Sequence, residues 1–210
     1  MPKLPFQFGF YAILTNPLRG YEYCTKVLVD AGVPFVQLRI KECSPEDILP
    51  VAEIMREATS GSSTKFIVND FPEIALKCGA DGVHIGQDDM PIETVREILG
   101  PEAIIGLSTH SPEQTKTACA LTPDYIGIGP VFPTPTKKNP DPVIGIDGMK
   151  AMLNVATVPA VVIGGIDFTN VQQVLDAGAP NFCMVRQFTQ SEKPEETIAE
   201  ILGLSRSNAC

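Results

Sequence analysis

Short apolar, β-branched runs alternate with longer helix-like segments along all 210 residues, and this alternation constrains the fold more than any other feature. The predicted strands are Phe8–Leu14, Phe35–Arg39, Lys65–Val68, Gly82–Ile85, Ile104–Leu107, Tyr125–Ile128, Ala160–Ile163 and Phe182–Val185. The predicted helices are Gly20–Ala31, Pro45–Thr59, Pro72–Cys78, Ile92–Leu99, Pro112–Ala120, Ile146–Leu153, Asn170–Ala177 and Pro194–Leu202. Strict alternation predicts parallel strands joined by helical crossovers. Because the unit occurs eight times, we expect an α/β fold, a single (β/α)₈ TIM barrel over residues 1–210.

Glycine follows a helix-like segment at three of the predicted helix–strand junctions, at Gly32, Gly79 and Gly178. A glycine just past a helix end supplies the left-handed residue that stops the helix. We therefore interpret these glycines as helix ends and not as sites. No domain boundary or low-complexity stretch is evident, and the tail 205–210 is predicted to be frayed and disordered.

Composition limits the classes of partner. Apolar residues make up 44% of the chain, enough for a sizeable core, and the formal net charge of −9 argues against nucleic-acid binding. The six cysteines form no C-x-x-C pair, which favours reduced thiols in a cytoplasmic protein. No apolar run is long enough to span a membrane, and the first residues do not resemble a secretory signal. Small-molecule substrates are therefore expected, and a homo-oligomer is left open.

Polar residues gather where the predicted strands end, which is where TIM barrels carry their chemistry. Asp70 and Asp89 follow adjacent strands. Two carboxylates that converge there would form a hard-oxygen site suited to Mg²⁺, which also accepts water and phosphate oxygens. The alternative is that each aspartate caps the helix that follows it.

Cations and glycines at the same predicted rim indicate anion binding. Arg39, Lys41 and Lys137 would form a diphosphate cradle, although each could also be an exposed loop charge. Gly164-Gly165 and Val185-Arg186 follow the last two strands, where such barrels often bind phosphate.

A long proline-rich loop, Thr134-Pro135-Thr136, offers groups for a second phosphate or is simply a rigid turn. Of the two histidines, we interpret His84 as a structural hydrogen-bonding residue, whereas His110 at the rim has the position of an acid or base. No nucleophile–base pair is evident. This favours a reaction that depends on charge stabilisation and positioning.

Five sequence runs together resemble the thiamine-phosphate synthase family. They are VQLRIK, IVNDFPEIALKCGADGVHIGQDD, IGLSTHSPEQ, DYIGIGPVFPTPTKK and VVIGGI. The resemblance implies a magnesium-dependent transferase that joins 4-amino-2-methyl-5-(diphosphooxymethyl)pyrimidine to a plain or carboxylated thiazole phosphate. Diphosphate would leave first, and the thiazole nitrogen would then attack the pyrimidine methylene cation.

The resemblance also implies roles for individual residues. Asp70 and Asp89 would hold Mg²⁺, and the residues that act in catalysis would be Lys41, Asn69, Ser108 and Lys137. The pyrimidine diphosphate would be bound by Gln37, Leu38, Arg39, Ile40, Lys41, Asn69, Ser108 and Lys137. The thiazole phosphate would be bound by Thr134, Pro135, Thr136, Gly165, Val185 and Arg186.

The chain departs from the family pattern at two positions. Arg186 stands where the family usually has Ser, and Ile40 stands where Glu is common. The Arg186 guanidinium would either pair with the thiazole phosphate or crowd it. Two other functions therefore stay open: a thiazole tautomerase that uses His110, and a non-catalytic protein that binds thiazole or thiamine phosphates.

Overall fold

The computed structural model of the chain describes residues 3–41, 43–134 and 141–206. Eight parallel strands pair in chain order, and the last pairs with the first to close a barrel. The strands are β1 (Gly9–Leu14), β2 (Phe35–Leu38), β3 (Lys65–Asn69), β4 (Gly82–Ile85), β5 (Ile104–Thr109), β6 (Tyr125–Ile128), β7 (Ala160–Val162) and β8 (Asn181–Phe182). The predicted TIM barrel is thus confirmed.

The helices in the described residues follow the strands as predicted, with one addition. They are α1 (Tyr21–Asp30), α2 (Pro45–Thr59), α3 (Pro72–Cys78), α4 (Ile92–Leu99), α5 (Pro112–Ala120), α6 (Gly145–Val155), α7 (Val171–Asp176), α8 (Val185–Thr189) and α9 (Pro194–Arg206). Helix α9 thus runs two residues into the predicted tail. Gly32, Gly79 and Gly178 have φ of +71°, +68° and +91°, which confirms them as helix ends.

The prediction of a strand over Phe182–Val185 is wrong at its carboxyl end. Only Asn181 and Phe182 pair with both neighbouring strands, and Val185 begins the short helix α8. Cys183 and Met184 are as buried as strand residues. A short apolar run cannot by itself distinguish a buried strand from a turn that leads into a helix.

Alternation along the strands divides the apolar side chains between two layers. Outward side chains such as Val36, Leu38 and Val68 pack against the helices. Inward side chains such as Phe35 and Ile67 fill the lower barrel together with Tyr11 and Tyr125. The barrel centre is therefore a packed core on which the site at its upper end rests.

At the opposite, amino-terminal face of the barrel, two aspartate carboxylates bind backbone amides and arginine side chains. The Asp124 carboxylate, 8% exposed, accepts a hydrogen bond from the Ile105 backbone amide at 2.8 Å and pairs with Arg96 at 3.0 Å. Asp81 makes equivalent contacts at the start of β3. Its carboxylate accepts a hydrogen bond from Phe66 N at 2.9 Å and pairs with Arg56 at 3.1 Å. These contacts fix the starts of β3 and β5 by satisfying amides that the sheet leaves open.

Replacing Asp124 with alanine is expected to lower the free energy of unfolding by about 3 kcal/mol, because it removes the carboxylate that pairs with the partly buried Arg96 guanidinium and with a backbone amide. Urea unfolding of the purified protein measures this loss. The matched control is Glu22→Ala, which breaks the exposed pair with Lys26 and should cost less than about 0.5 kcal/mol. Equal losses in the two variants would contradict a structural role for Asp124.

The structure also bears on membrane spans and on the cysteines. No helix in the described ranges is both long and apolar enough to cross a bilayer. The five cysteines within those ranges, Cys24, Cys43, Cys78, Cys119 and Cys183, form no disulfide with one another. Cys210 lies outside the described residues.

Candidate active site

A pocket of about 930 Å³ opens at the carboxyl ends of the strands, where the sequence predicts the site. Its volume is in the upper part of the range for small-molecule sites and suits two small ligands. The predicted site residues that line it are Gln37, Arg39, Lys41, Asn69, Asp70, Asp89, Ser108, Thr134, Gly165, Val185 and Arg186. The barrel thus brings together groups that are up to 149 residues apart, from Gln37 to Arg186.

Two predicted binding residues do not join this group. The Leu38 side chain, 1% exposed, packs in the outer core, and Ile40 packs against that core. Alternation along β2 and its extension explains this result, because Gln37, Arg39 and Lys41 face the pocket and the residues between them face away. Pro135, Thr136 and Lys137, and also Lys138, lie outside the described residues, so their predicted roles stay predictions.

Neither aspartate caps a helix, so the alternative interpretation of these residues is wrong. Helices α3 and α4 begin after Phe71 and Pro91, and neither start has a side-chain cap. The Asp70 carboxylate contacts the Lys41 ammonium, and Asp89 Oδ2 accepts a hydrogen bond from Gly86 N at 2.6 Å. Asp70 also has a left-handed backbone with φ of +67°, and its amide donates to His84 O at 2.8 Å. This uncommon conformation turns Asp70 out of the strand at the rim.

The Arg39 guanidinium lies half-buried in the pocket wall. Burial lowers the pKa of Arg39, and the nearby negative charge of Asp70 opposes that shift. Among the described residues, the Arg39 side chain has no hydrogen-bond or ion-pair partner. A desolvated cation that none of these residues pairs is expected to pair with an anionic ligand.

Two buried amides in the same wall are also incompletely paired. The Asn69 side chain, 8% exposed, makes no hydrogen bond within the described part of the chain. The Gln37 side chain, 2% exposed, donates to Tyr11 through Nε2 at 3.1 Å, and its Oε1 accepts no bond from a described residue. Buried polar groups in folded proteins are almost always paired, so these amides face ligand or water.

The loops after β6 and β7 pack directly on each other at Gly164 and Gly165. Phe132 N donates to Gly164 O at 2.9 Å, and Asn170 Nδ2 donates to Gly165 O at 2.9 Å. Gly165 has φ of +63°, and a Cβ there would lie 2.4 Å from Pro133 O. The Gly165 amide donates to no described residue, so it is available at the pocket wall.

The two histidines have different surroundings. His84 contacts the Tyr125 hydroxyl through Nδ1 at 3.0 Å and the Ser108 hydroxyl through Nε2 at 2.9 Å, which confirms it as a hydrogen-bonding residue of the interior. His110 lines the pocket, its Nδ1 donates to Gly129 O at 2.6 Å, and its Nε2 lies 3.4 Å from Asp141. His110 therefore bridges β5 and the loop after β6.

Sequence reasoning missed polar groups deeper in the pocket. These are Tyr11 and Tyr125, which line the pocket floor. The signal for the tyrosines was a hydroxyl-bearing residue at an inward strand position. Aromatic residues at such positions are usually core, and the sequence does not show which strands face each other.

The donor chemistry of the pocket fits a divalent cation such as Mg²⁺. Asp70 and Asp89 offer hard carboxylate oxygens from neighbouring strand ends. In the described ranges, no group of three or more histidine, cysteine or acidic residues is arranged as a metal site. An ion there would therefore depend on water and ligand oxygens for much of its coordination, which is usual for magnesium.

A closed (β/α)₈ barrel with charged and polar residues around one pocket at the carboxyl ends of its strands has the arrangement of barrel enzymes. The sequence profile described as thiamine monophosphate synthase matches residues 11–188. Thiamine-phosphate synthase of Lawsonia intracellularis is 38% identical over 204 residues, which are 96% of this chain and 94% of that protein. The corresponding enzyme of Koribacter versatilis is 39% identical over 212 residues, with 98% of each chain covered.

A solved structure of thiamine phosphate pyrophosphorylase from Pyrococcus furiosus superimposes with a TM-score of 0.86. It is 29% identical in sequence, and the match covers 97% of this chain and 98% of the other. The chain therefore belongs to the thiamine monophosphate synthase family.

Proposed function

We propose that the protein is a magnesium-dependent thiamine-phosphate synthase. It would transfer the pyrimidinylmethyl group of 4-amino-2-methyl-5-(diphosphooxymethyl)pyrimidine to the nitrogen of a thiazole phosphate and release diphosphate. The single observation that carries the proposal is the half-buried Arg39 guanidinium, which has no partner among the described residues, beside Lys41 and Asp70. In a chain with a formal net charge of −9, such a group serves to bind a strongly anionic ligand.

The residues of the β2 and β3 ends would bind the diphosphate. Arg39 offers a planar fork of donors for two phosphate oxygens, and Lys41 adds a mobile charge at the rim. Asn69 would donate its buried amide to the same substrate. A bound divalent ion, held by Asp70 and Asp89, would neutralise charge on the departing diphosphate.

The chemistry would require positioning more than proton transfer. Carbon–oxygen cleavage leaves the electron pair on diphosphate and a cation on the pyrimidine methylene carbon, and the thiazole nitrogen lone pair forms the new carbon–nitrogen bond. Neither bond change requires a base from the protein. The pocket would supply alignment, charge stabilisation and protection from water.

The β7 and β8 ends would bind the thiazole phosphate. The available Gly165 amide and the Arg186 side chain face the pocket on this side. Arg186 has no side-chain partner among the described residues, so we propose that it is a phosphate ligand in place of the usual serine.

Replacing Arg186 with serine is accordingly expected to raise the KM for thiazole phosphate about tenfold and to leave kcat within about twofold, because a charge-assisted contact is lost. Steady-state kinetics with the thiazole phosphate varied measure this change. Lys193→Ser is the control, since Lys193 lies on the surface and pairs with Glu196. A lower KM in Arg186→Ser would show that the arginine crowds the ligand.

The direct test is a condensation assay on the purified protein. With both substrates and Mg²⁺ we expect stoichiometric thiamine phosphate and diphosphate, and with excess EDTA we expect the rate to fall by about a hundredfold or more. Diphosphate release should also require the thiazole phosphate. Absence of product under these conditions would refute the proposal.

The same assay separates the other two functions. Isomerisation of a thiazole phosphate without metal and without condensation would instead assign a tautomerase, for which His110 has the right position at the rim. Tight binding of thiazole or thiamine phosphate with no turnover would assign a binding protein. If the protein restores growth to a thiamine auxotroph that lacks the synthase, the binding-protein function is excluded.

A further inference from the structure

Five polar side chains form one continuous chain of hydrogen bonds across the barrel interior, beneath the pocket. Gln37 Nε2 donates to the Tyr11 hydroxyl at 3.1 Å, and the Tyr11 and Tyr125 hydroxyls lie 2.7 Å apart. The chain continues from Tyr125 to His84 Nδ1 at 3.0 Å and from His84 Nε2 to Ser108 Oγ at 2.9 Å. It therefore connects β2 with β5 through residues on β1, β6 and β4.

Packing alone does not require these hydroxyl groups. Tyr11 stacks on Phe35 with ring centroids 5.4 Å apart, and phenylalanine would keep that contact. Burying each hydroxyl costs free energy unless it is paired, and both tyrosines are only 1% exposed. The hydroxyls are therefore retained for the bonds that they make.

The sequence also leaves room for the hydrogen-bond chain where it crosses the barrel interior. A Cβ at Gly106 would lie 2.2 Å from Tyr125 Cζ and 2.5 Å from His84 Nδ1. Any side chain at this position would force the imidazole and the phenol apart. Gly106 is thus an independent sign that the contact between His84 and Tyr125 is built into the barrel.

One direction uses every proton of the hydrogen-bond chain within it. Gln37 Nε2 can only donate, so Tyr11 accepts that bond, and in this direction the Tyr11 proton goes to Tyr125. The Tyr125 proton then goes to His84 Nδ1, which must be unprotonated. The remaining proton of the imidazole is on Nε2 and is donated to Ser108 Oγ.

Both tyrosines stay neutral near neutral pH, as this direction requires. Burial raises the pKa of both tyrosines.

We propose that Tyr11, Tyr125 and His84 are positioning residues that fix the Ser108 hydroxyl as a hydrogen-bond donor toward the pocket. Because His84 occupies a lone pair of Ser108 Oγ, the Ser108 proton is left for a ligand, and no described residue accepts it. The ligand group that fits is an acceptor nitrogen in a heteroaromatic ring. At the other end, Gln37 Oε1 is left as an acceptor that suits an amino group.

The identification of that ring as the aminopyrimidine rests on the proposed function, but the direction of the chain does not. The first experiment therefore uses the free protein. Long-range ¹H–¹⁵N correlation spectra at about pH 8 report which ring nitrogen of each histidine carries the proton. With only two histidines, His84 and His110, one His110→Asn spectrum assigns both.

We expect His84 to carry its proton on Nε2. His110 should carry a proton on Nδ1, because that atom contacts the Gly129 carbonyl, so the two histidines differ within one spectrum. A proton on His84 Nδ1 would reverse the two bonds that His84 makes, so that the Ser108 hydroxyl would donate to His84 Nε2 and could only accept from a ligand. That result would overturn the proposal whatever the enzyme's activity.

The second experiment is a double-mutant cycle on kcat/KM for the pyrimidine diphosphate. Tyr125→Phe alone should lower it about tenfold, the loss expected when one ligand hydrogen bond is misdirected. In a Ser108→Ala background the same change should have less than about a twofold effect, since the hydroxyl that the chain directs is gone. The KM for thiazole phosphate should stay unchanged.

The matched control is Tyr23→Phe, which removes an exposed hydroxyl that contacts Glu195 and should leave kcat/KM unchanged. If Tyr125→Phe does not fold, Tyr11→Phe takes its place in the cycle. A tenfold loss that persists in the Ser108→Ala background would show that the tyrosine acts through general packing, which would overturn the positioning role.

Discussion

Replacing Asp70 with asparagine is expected to lower kcat/KM of the condensation about a thousandfold, equivalent to about 4 kcal/mol of transition-state stabilisation. Asparagine preserves the size of the side chain and tolerates the left-handed backbone that Asp70 adopts at φ of +67°. It removes the charge that a divalent ion requires. The loss should appear in kcat as well as in kcat/KM, because charge on the leaving diphosphate develops in the transition state.

The competing explanation is that Asp70 only pairs with Lys41. A change in a partly exposed ion pair would alter stability by about 1 kcal/mol or less and would leave the metal requirement intact. Titration of activity with Mg²⁺ separates the two explanations, since the Asp70→Asn variant should need a much higher concentration. Near-normal turnover at the ordinary concentration would show that the carboxylate has no metal role.

Replacing Gly165 with alanine is expected to lower kcat/KM for thiazole phosphate about a hundredfold or more. The added Cβ would lie 2.4 Å from Pro133 O and 2.8 Å from Phe132 Cβ, so the loops after β6 and β7 would have to separate. That movement displaces the Gly165 amide and the nearby Thr134. A shift of about 1 Å in a ligand-positioning group is enough for a loss of this size.

Gly178→Ala is the matched control for this variant. Gly178 has φ of +91° at the end of α7, and a Cβ there would meet nothing within 4 Å. Both changes therefore introduce strain of about 1 kcal/mol from the left-handed backbone, but only Gly165→Ala adds the overlap. Equal activity of the two variants would contradict the proposed role of the Gly165 loop.

The sequence predicts the barrel well because its signals are local and repeated. Most strands are short apolar runs, many helices begin at proline or end at glycine, and Gly32, Gly79 and Gly178 mark three helix ends. The error at β8 has a physical origin. Cys183 and Met184 are apolar and buried, yet the chain turns there, and hydrophobicity reports burial without reporting backbone direction.

Residues at the strand ends were also predictable, because a closed parallel barrel carries them to one rim. The exceptions were residues that lie near a strand end but whose side chains face away from the pocket. Leu38 and Ile40 lie between pocket residues in sequence, but alternation turns their side chains away. A contiguous run of binding residues was therefore too broad a prediction.

The hydrogen-bond chain beneath the pocket was not predictable, because it depends on distances between strands that are not neighbours in sequence. Tyr11 and Tyr125 are 114 residues apart, and nothing local marks them as partners. Their hydroxyls meet because the register of the closed barrel brings both rings to the same level. The sequence indicated only that His84 is a hydrogen-bonding residue within a strand.

The most direct test of the account is a crystal structure with thiamine phosphate, diphosphate and Mn²⁺ as an anomalous substitute for Mg²⁺. The account predicts one anomalous peak bonded to a carboxylate oxygen of Asp70, to one of Asp89 and to the diphosphate, with Arg39 on that same diphosphate. A peak that touches neither aspartate, or diphosphate bound away from Arg39 with no metal beside it, would contradict the account.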